Sequence, residues 1–237
     1  MFQKQRLLFS TLIALTSTGA ALAVSEDVMV STDYVHVPKG FDSNDNVEVI
    51  VTGELPNTCY RRPYGEVKVI EKNVSIDVKA TKITDKNTLC IEAIVPFMLS
   101  VPVGQLDEGS YHVAVNPGTA SEKDSDLSIE QPSSHGIDNF TYANVTSIKQ
   151  IPSTSYVNIE GYHPSSCMDI ERVEVVANQN HDTYSVMPII KQTKAVCDRM
   201  IKPFSYHLEL PGLNPKETVL HIRKIDGTAL NFLLPKN

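Results

Sequence analysis

The feature that most constrains this chain is a motif that occurs twice. Gly53-Glu-Leu-Pro56-Asn-Thr-Cys59 is answered by Cys90-Ile-Glu-Ala-Ile-Val-Pro96-Phe97, and Gly161-Tyr-His-Pro164-Ser-Ser-Cys167 by Cys197-Asp-Arg-Met-Ile-Lys-Pro203-Phe204. The pattern is Gly-x-x-Pro-x-x-Cys followed by Cys-x-x-x-x-x-Pro-Phe, and it uses all four cysteines of the 237-residue chain. Four cysteines allow three pairings. If the two copies share a fold, each closes its own bridge, which selects Cys59 with Cys90 and Cys167 with Cys197. Bridges closing loops of about 30 residues stabilise by roughly 3–4 kcal/mol each in the chain-entropy model.

An even set of paired cysteines implies an oxidising compartment. The first residues agree with that. Lys4 and Arg6 precede a short apolar run from Leu7 to Leu15, and Ala21-Leu22-Ala23 has the small-x-small form of a cleavage site. Residues 1–23 are therefore expected to be a signal peptide, leaving a periplasmic or secreted protein. The run is too short, and too interrupted by Ser and Thr, for a membrane anchor. No later run is apolar enough to span a bilayer.

The mature chain shows short alternating segments separated by turn residues every 8–12 residues or so, which reads as all-β and as β-sandwiches. Val47, Val49 and Val51 form one such segment, Val74, Ile76 and Val78 another, and Tyr111, Val113 and Val115 a third. Strands are also expected from Asp27 to Val37 and, separated by Pro96, from Cys90 to Val95 and from Met98 to Val103. Tyr60 to Tyr64 is expected to be a loop, because Pro63 and Gly65 punctuate it. The second copy replays the order: Tyr156 to Ile159 leads into Gly161, Leu208 and Leu210 stand where Val101 and Val103 stood, and Leu220 and Ile222 where Val113 and Val115 stood. The expected organisation is a β-sandwich over 24–130, a Pro/Ser/Gly linker over 131–138 and a second β-sandwich over 139–237. Tryptophan is absent and the cysteines are too close for an antibody-type bridge, so the expectation is immunoglobulin-like in architecture only.

The repeat, with the ending Leu106-x-x-Gly109-x-Tyr111-x-Val113-x-Val115-Asn116, resembles small exported bacterial β-sandwich domains. The resemblance covers residues 47–116 well and the second copy more loosely, since Lys216 and Thr218 stand in place of Gly109 and Tyr111. It implies a fold and an exported location, and it brings no catalytic residues with it.

Charge is uneven. Residues 24–130 hold 18 acids against 9 bases, and residues 139–237 hold 9 against 10. That argues against nucleic acid as a partner. No His-Glu-x-x-His, Gly-x-Ser-x-Gly or phosphate-cradling glycine loop occurs, so a non-enzymatic protein without a cofactor is expected. Asp42 to Asn46 begins like a calcium loop but has Val47 and Gly53 where glycine and glutamate are required, and reads as a turn. His112 and His221 fall out of phase with the apolar face, and His36, His135 and His181 read as strand-surface or loop residues.

Two candidate sites remain. Tyr60, Arg61, Arg62 and Tyr64 combine the residue types that recognition surfaces favour. In the second copy His163, Met168, Met200 and His207 lie near the cysteines, and such soft donors suit copper, although the first copy has no counterpart to them. The expected function is binding or scaffolding of an envelope or extracellular protein or glycan. The alternatives are periplasmic copper handling by the second unit and a periplasmic assembly chaperone, which needs a basic residue pair in the cleft between the domains and an exposed edge strand, and which an open sheet edge beside Arg61 or Lys149 would favour.

Overall fold

The computed structural model describes residues 24–133, 139–151, 154–198, 200–210 and 217–234. The expected signal peptide and most of the expected linker lie outside them. Sixteen strands and no helix occur among the described residues. In the first half they are β1 (Ser25–Met29), β2 (Tyr34–His36), β3 (Phe41–Asp42), β4 (Val47–Leu55), β5 (Tyr60–Ile70), β6 (Asn73–Ile83), β7 (Val95–Gly104), β8 (Gly109–Val115) and β9 (Lys123–Glu130). In the second they are β10 (Asn144–Gln150), β11 (Tyr156–His163), β12 (Met168–Ala177), β13 (Thr183–Gln192), β14 (Lys202–Glu209), β15 (Thr218–Arg223) and β16 (Ala229–Leu234).

Apart from β1 and β3, which have no counterpart among the described residues of the second half, the two halves repeat strand for strand. β2-β4-β7 of the first corresponds to β10-β11-β14 of the second, and the β5, β6, β8, β9 series to β12-β13-β15-β16. Both halves contain the same unusual parallel pair, with Val74 opposite Val113 in one and Tyr184 opposite Leu220 in the other. Gly53 faces Phe97 across β4 and β7, as Gly161 faces Phe204 across β11 and β14. Each half is thus a β-sandwich, and each closes its own disulfide, Cys59–Cys90 and Cys167–Cys197, with Cα atoms 5.3 Å apart in both.

Period-two alternation explains the cores. Val49, Val51 and Val101 meet Ile76, Val78, Val113, Val115 and Leu127 in the first sandwich. Val157, Ile159 and Leu208 meet Tyr184, Val186, Leu220 and Ile222 in the second. The motif glycines have a steric cause. A Cβ on Gly53 would stand 2.5 Å from the Ser31 carbonyl oxygen and 2.8 Å from the Phe97 ring, and one on Gly161 would stand 2.1 Å from the Asn144 oxygen and 3.0 Å from Phe204. The Phe of the motif lies over the Gly of the motif in both copies. Tyr111 explains the rest of the signature: its hydroxyl donates to the Asp107 carbonyl four residues upstream at 2.9 Å, a tyrosine corner at the start of β8. Gly109 takes φ +134, and Thr218 leaves the second half without the corner.

Several expected elements are corrected. The 27–37 stretch is two strands, β1 pairing with β6 and β2 with β4, so the chain changes sheets between them. Residues 90–94 are not a strand, and Pro96 lies inside β7. Proline is tolerated there because β7 pairs only with β4 among the described strands, so the absent N–H costs no ladder bond.

The halves dock face to face. The outer side of β2 and β4 packs on the outer side of β13, β15 and β16, and β4 and β15 are buried on both faces as a result. Thr52, toward the bridged end of β4, donates to Glu217 just before β15, and Asp45, before β4 begins, pairs with Arg223 at the end of β15. β15 therefore runs antiparallel to β4 across the interface. It runs parallel to β13, whose end leads to Thr193 beside Cys167. The two disulfides consequently lie at opposite ends of the molecule.

Candidate functional site

The Tyr60–Tyr64 segment is corrected from loop to strand. It opens β5, which among the described strands pairs with β6 alone. Arg61 faces Thr81 and Tyr64 faces Lys79, so Arg62 and Pro63 together oppose one residue of β6. That is a β-bulge, and Arg62 takes φ +53 to make it. Pro63 fits because a bulge needs no ladder N–H at that point.

The bulge separates the four side chains. Tyr60 is half-buried against the first core, with Lys82 Nζ 5.6 Å from its ring centroid. Tyr64 is half-buried too. Partial desolvation, and then the Asp27 carboxylate to which it donates, push its hydroxyl above the ordinary value. Asp27 also accepts from Thr81 at 3.0 Å, so Tyr64 ties β5 toward β1. Arg61 and Arg62 are exposed, and Arg61 Nε reaches the Thr58 carbonyl at 3.4 Å. The tyrosines are framework and the arginines are what the strand offers to solvent. Farther along the same edge Lys68, Val69 and Ile70 are exposed, the last two at 40% and 53%.

The proposed copper ligands do not converge. β11 and β14 pair so that His163 faces Lys202 while His207 faces Asn158, which separates the two histidines by five residues along the sheet, about 16 Å. They also lie on opposite faces: His163 is buried and His207 exposed. Met200 is 66% exposed, and the cysteines are joined to each other. Among the described residues no group of three His, Cys, Asp or Glu side chains is placed to hold a metal ion. His163 stacks on Phe204 with ring centroids 4.9 Å apart, and its buried Nδ1 has no hydrogen-bond partner among the described residues. Burial first, and then the Lys202 charge, hold its pKa below the ordinary 6.5.

Sequence reasoning missed the polar network between the halves. His36 and His221, expected at the surface, are buried there. His36 Nε2 stands 3.2 Å from Glu217 Oε1, and Nδ1 3.1 Å from the Asp182 carbonyl. His221 Nδ1 lies 3.1 Å from Glu48 Oε1 and 3.0 Å from Asn231 Oδ1. Burial alone would raise the Glu48 carboxyl, but the hydrogen bond and charge of His221, with Asn231 and Lys224, hold it below its ordinary value. Arg223 pairs with Asp45 at 2.9 Å over the Phe41 ring. Asp45, read in the sequence as part of a turn, thus serves the interface. His112 is exposed as expected, beside Asp124. His181 is exposed at φ +53 in the turn before β13, and His135 lies outside the described residues. A cleft of about 250 Å³ opens at the rim of this interface, lined in part by Glu48, His221, Arg223 and Lys224. Glu48 is held by His221 and Asn231, and Asp45 by Arg223, which fits a cemented joint. The signal that could have revealed the joint is Ile50, an apolar residue in the polar phase of β4.

Fold and bridges together define a tandem, disulfide-stapled β-sandwich protein. Residues 49–123, from β4 to the start of β9, match the family model of the ORF11 beta-sandwich domain. No curated protein and no solved structure matches the chain. No helix among the described residues is long and apolar enough to cross a membrane.

Proposed function

We propose that this is an exported, non-catalytic binding protein of the cell envelope or extracellular space, periplasmic or secreted, that takes a protein or glycan partner at the open edge of β5. The observation that carries the reading is an 11-residue strand that has one side unpaired among the described strands and two exposed arginines at its bulge. A strand edge offers a row of backbone donors and acceptors that an extended segment of another protein satisfies. Exposed arginines beside it give orientation and selectivity through bidentate contacts. The buried joint between the halves supports a scaffold role, since it fixes one sandwich on the other. The exported location is supported by the paired cysteines and by the form of residues 1–23.

A second reading, an assembly chaperone that works by strand addition, is favoured by the open edges beside both residues named for it. Arg61 is on β5, and Lys149 is on β10, which among the described strands pairs with β11 alone. Lys149 is engaged with Glu160 at 2.9 Å, so β5 is the stronger edge of the two.

The test is capture from envelope extract with photo-crosslinkers at Lys68 and Ile70, each in the native background and in Arg61→Ala/Arg62→Ala. A single protein or glycan captured from both crosslinker positions and lost in the double variant supports the reading. Capture that ignores the arginines, or occurs equally from a crosslinker at Glu174 on β12, removes it. Release of the captured protein upon its own assembly distinguishes the chaperone.

A further inference from the structure

The two halves use the same face differently. In the first half the outer side of β4 is closed into the joint. The matching side of the second half is the outer side of β11 and its neighbours β10 and β14, where the outward side chains are exposed or half-buried. Counted from the motif glycines, Asn158 stands on the open face where Ile50 stands on the closed one.

Alternate residues of β11 point outward: Tyr156, Asn158, Glu160 and Tyr162. On β14 they face Glu209, His207, Ser205 and Pro203 in turn. On β10 Lys149 faces Asn158, and Ser147 faces Glu160. A hydrogen-bonded net runs across the three strands. Glu160 Oε2 accepts from Ser147 Oγ and from Lys149 Nζ, both at 2.9 Å, and Oε1 accepts from Asn158 Nδ2 at 3.1 Å. Asn158 Oδ1 accepts from Ser205 Oγ at 2.9 Å. The hydrogen bonds from Lys149 and then Ser147 hold the Glu160 carboxyl below its ordinary value. A tyrosine closes each end of the row. The Tyr162 hydroxyl accepts from the Asn144 amide, and the Tyr156 hydroxyl donates to Glu209. Tyr156 is 41% exposed.

We propose that this face binds an uncharged stretch of polysaccharide laid along β11, with a sugar ring against each tyrosine and the hydroxyls between them meeting Asn158, Ser205 and His207. A pyranose presents a face of C–H groups, which packs on the flat of an aromatic ring, and a rim of hydroxyls, which require directed partners. The tyrosines stand six residues apart on one strand, about 20 Å, which is the span of a short oligosaccharide. Asn158 gives one N–H to Glu160 and keeps the other, and Ser205 keeps acceptor capacity. Groups already held in a net lose little freedom on binding. Charge selects the class of occupant. Lys149 is matched by Glu160, and Glu209 adds a second acid, so the face has no excess of bases for nucleic acid, an anionic glycan or a lipid headgroup. None of these outward side chains is Val, Leu, Ile or Met, whereas a protein interface has an apolar core. A second copy is therefore a poor occupant. The inference does not rest on a partner at β5.

The experiment is electrophoresis of the oxidised full chain through native gels, each cast with one soluble polysaccharide. The neutral polymers are laminarin, hydroxyethyl cellulose, galactomannan and soluble starch, and the anionic one is polygalacturonate. Migration is expected to be retarded by at least one neutral polymer and not by polygalacturonate. Tyr156→Ala and Tyr162→Ala are each expected to weaken the retarding interaction about tenfold, and His207→Ala to weaken it less. Tyr156 and His207 are exposed, so those two variants are expected to keep the native unfolding midpoint. Arg61→Ala/Arg62→Ala is expected to be retarded as the native chain is, which separates this face from the edge of β5. The inference is overturned if no neutral polymer retards the chain, if polygalacturonate retards it as strongly, or if the Tyr156 and His207 variants both migrate as the native chain does. Loss of retardation in the arginine variant also overturns it, since the glycan is then held at β5.

Discussion

Leucine at position 163 should make the protein more stable than its native histidine does. The register that pairs Gly161 with Phe204 pairs His163 with Lys202, and in the first half the same register pairs Leu55 with Val95. Both side chains are buried, Leu55 at 3% exposure and His163 at 2%. The structures of the two halves therefore offer the substitution ready tested in shape. His163 leaves a buried ring nitrogen without a partner among the described residues, and an unmade hydrogen bond of that kind costs about 1–3 kcal/mol. His163→Leu removes the cost and keeps an apolar group against Phe204, so a gain of about 1–2 kcal/mol at pH 7 is expected. For a unit of about 100 residues each kcal/mol moves Tm by roughly 4–8 °C. A second readout separates this from ordinary packing. The folded pKa of His163 is depressed, so below the ordinary value of 6.5 the unfolded chain takes up a proton that the folded chain refuses. Stability is lost as pH falls from 6.5 toward the folded pKa, then levels. Urea unfolding of both proteins at several pH values between 7 and 5 measures the two effects together. A variant less stable at pH 7, or one whose pH dependence below 6.5 equals the native protein's, would refute the reasoning.

Gly53→Ala and Gly161→Ala should each destabilise by about 1–3 kcal/mol or more, because the new methyl meets backbone as well as a Phe ring, and thermal unfolding measures it; a neutral result would contradict the steric account. Cys59→Ser/Cys90→Ser and Cys167→Ser/Cys197→Ser should each cost about 3–4 kcal/mol, as urea midpoints, with each leaving the other bridge formed. His221→Ala should weaken the joint by about 1–3 kcal/mol. It should also bring acid unfolding to higher pH, because the stability contributed by Glu48 is present above its ordinary value of 4.5 and disappears as pH falls through its lowered folded value, and loss of His221 raises that folded value. An acid transition that does not move would show that Glu48 is held by something else.

What could be read in advance was what local patterning determines. Val49 and Val51, or Ile76 and Val78, announce a core face because each strand needs only one apolar side to be recognised. The cysteine pairing followed from the repeat alone. Pro96 and Pro63 misled, because proline was weighed as a strand breaker when both stand on strands with one open side. Nothing in Arg62 signals a left-handed backbone, which is a habit of Gly, Asn and Asp. The joint was the larger omission. His36 meets Glu217 across 181 residues and Arg223 meets Gly40 across 183, so the outer faces of β4 and β15 looked like solvent faces when each was read against its own strand. The composition of the candidate site was legible, since Arg61 and Arg62 are exposed. The division of labour was not, because the groups that occupy the two tyrosines, Lys82 on the next strand and Asp27 on β1 beyond it, are brought to them only by the fold.

The account as a whole assumes one sandwich built twice, each copy sealed by its own sulfur pair. Peptide mapping of the unreduced protein tests this most directly. The predicted result is two linked peptide pairs, one containing Cys59 and Cys90 and the other Cys167 and Cys197, with no alkylatable thiol. A peptide that links the first half to the second, or free thiols in the denatured unreduced chain, would contradict it.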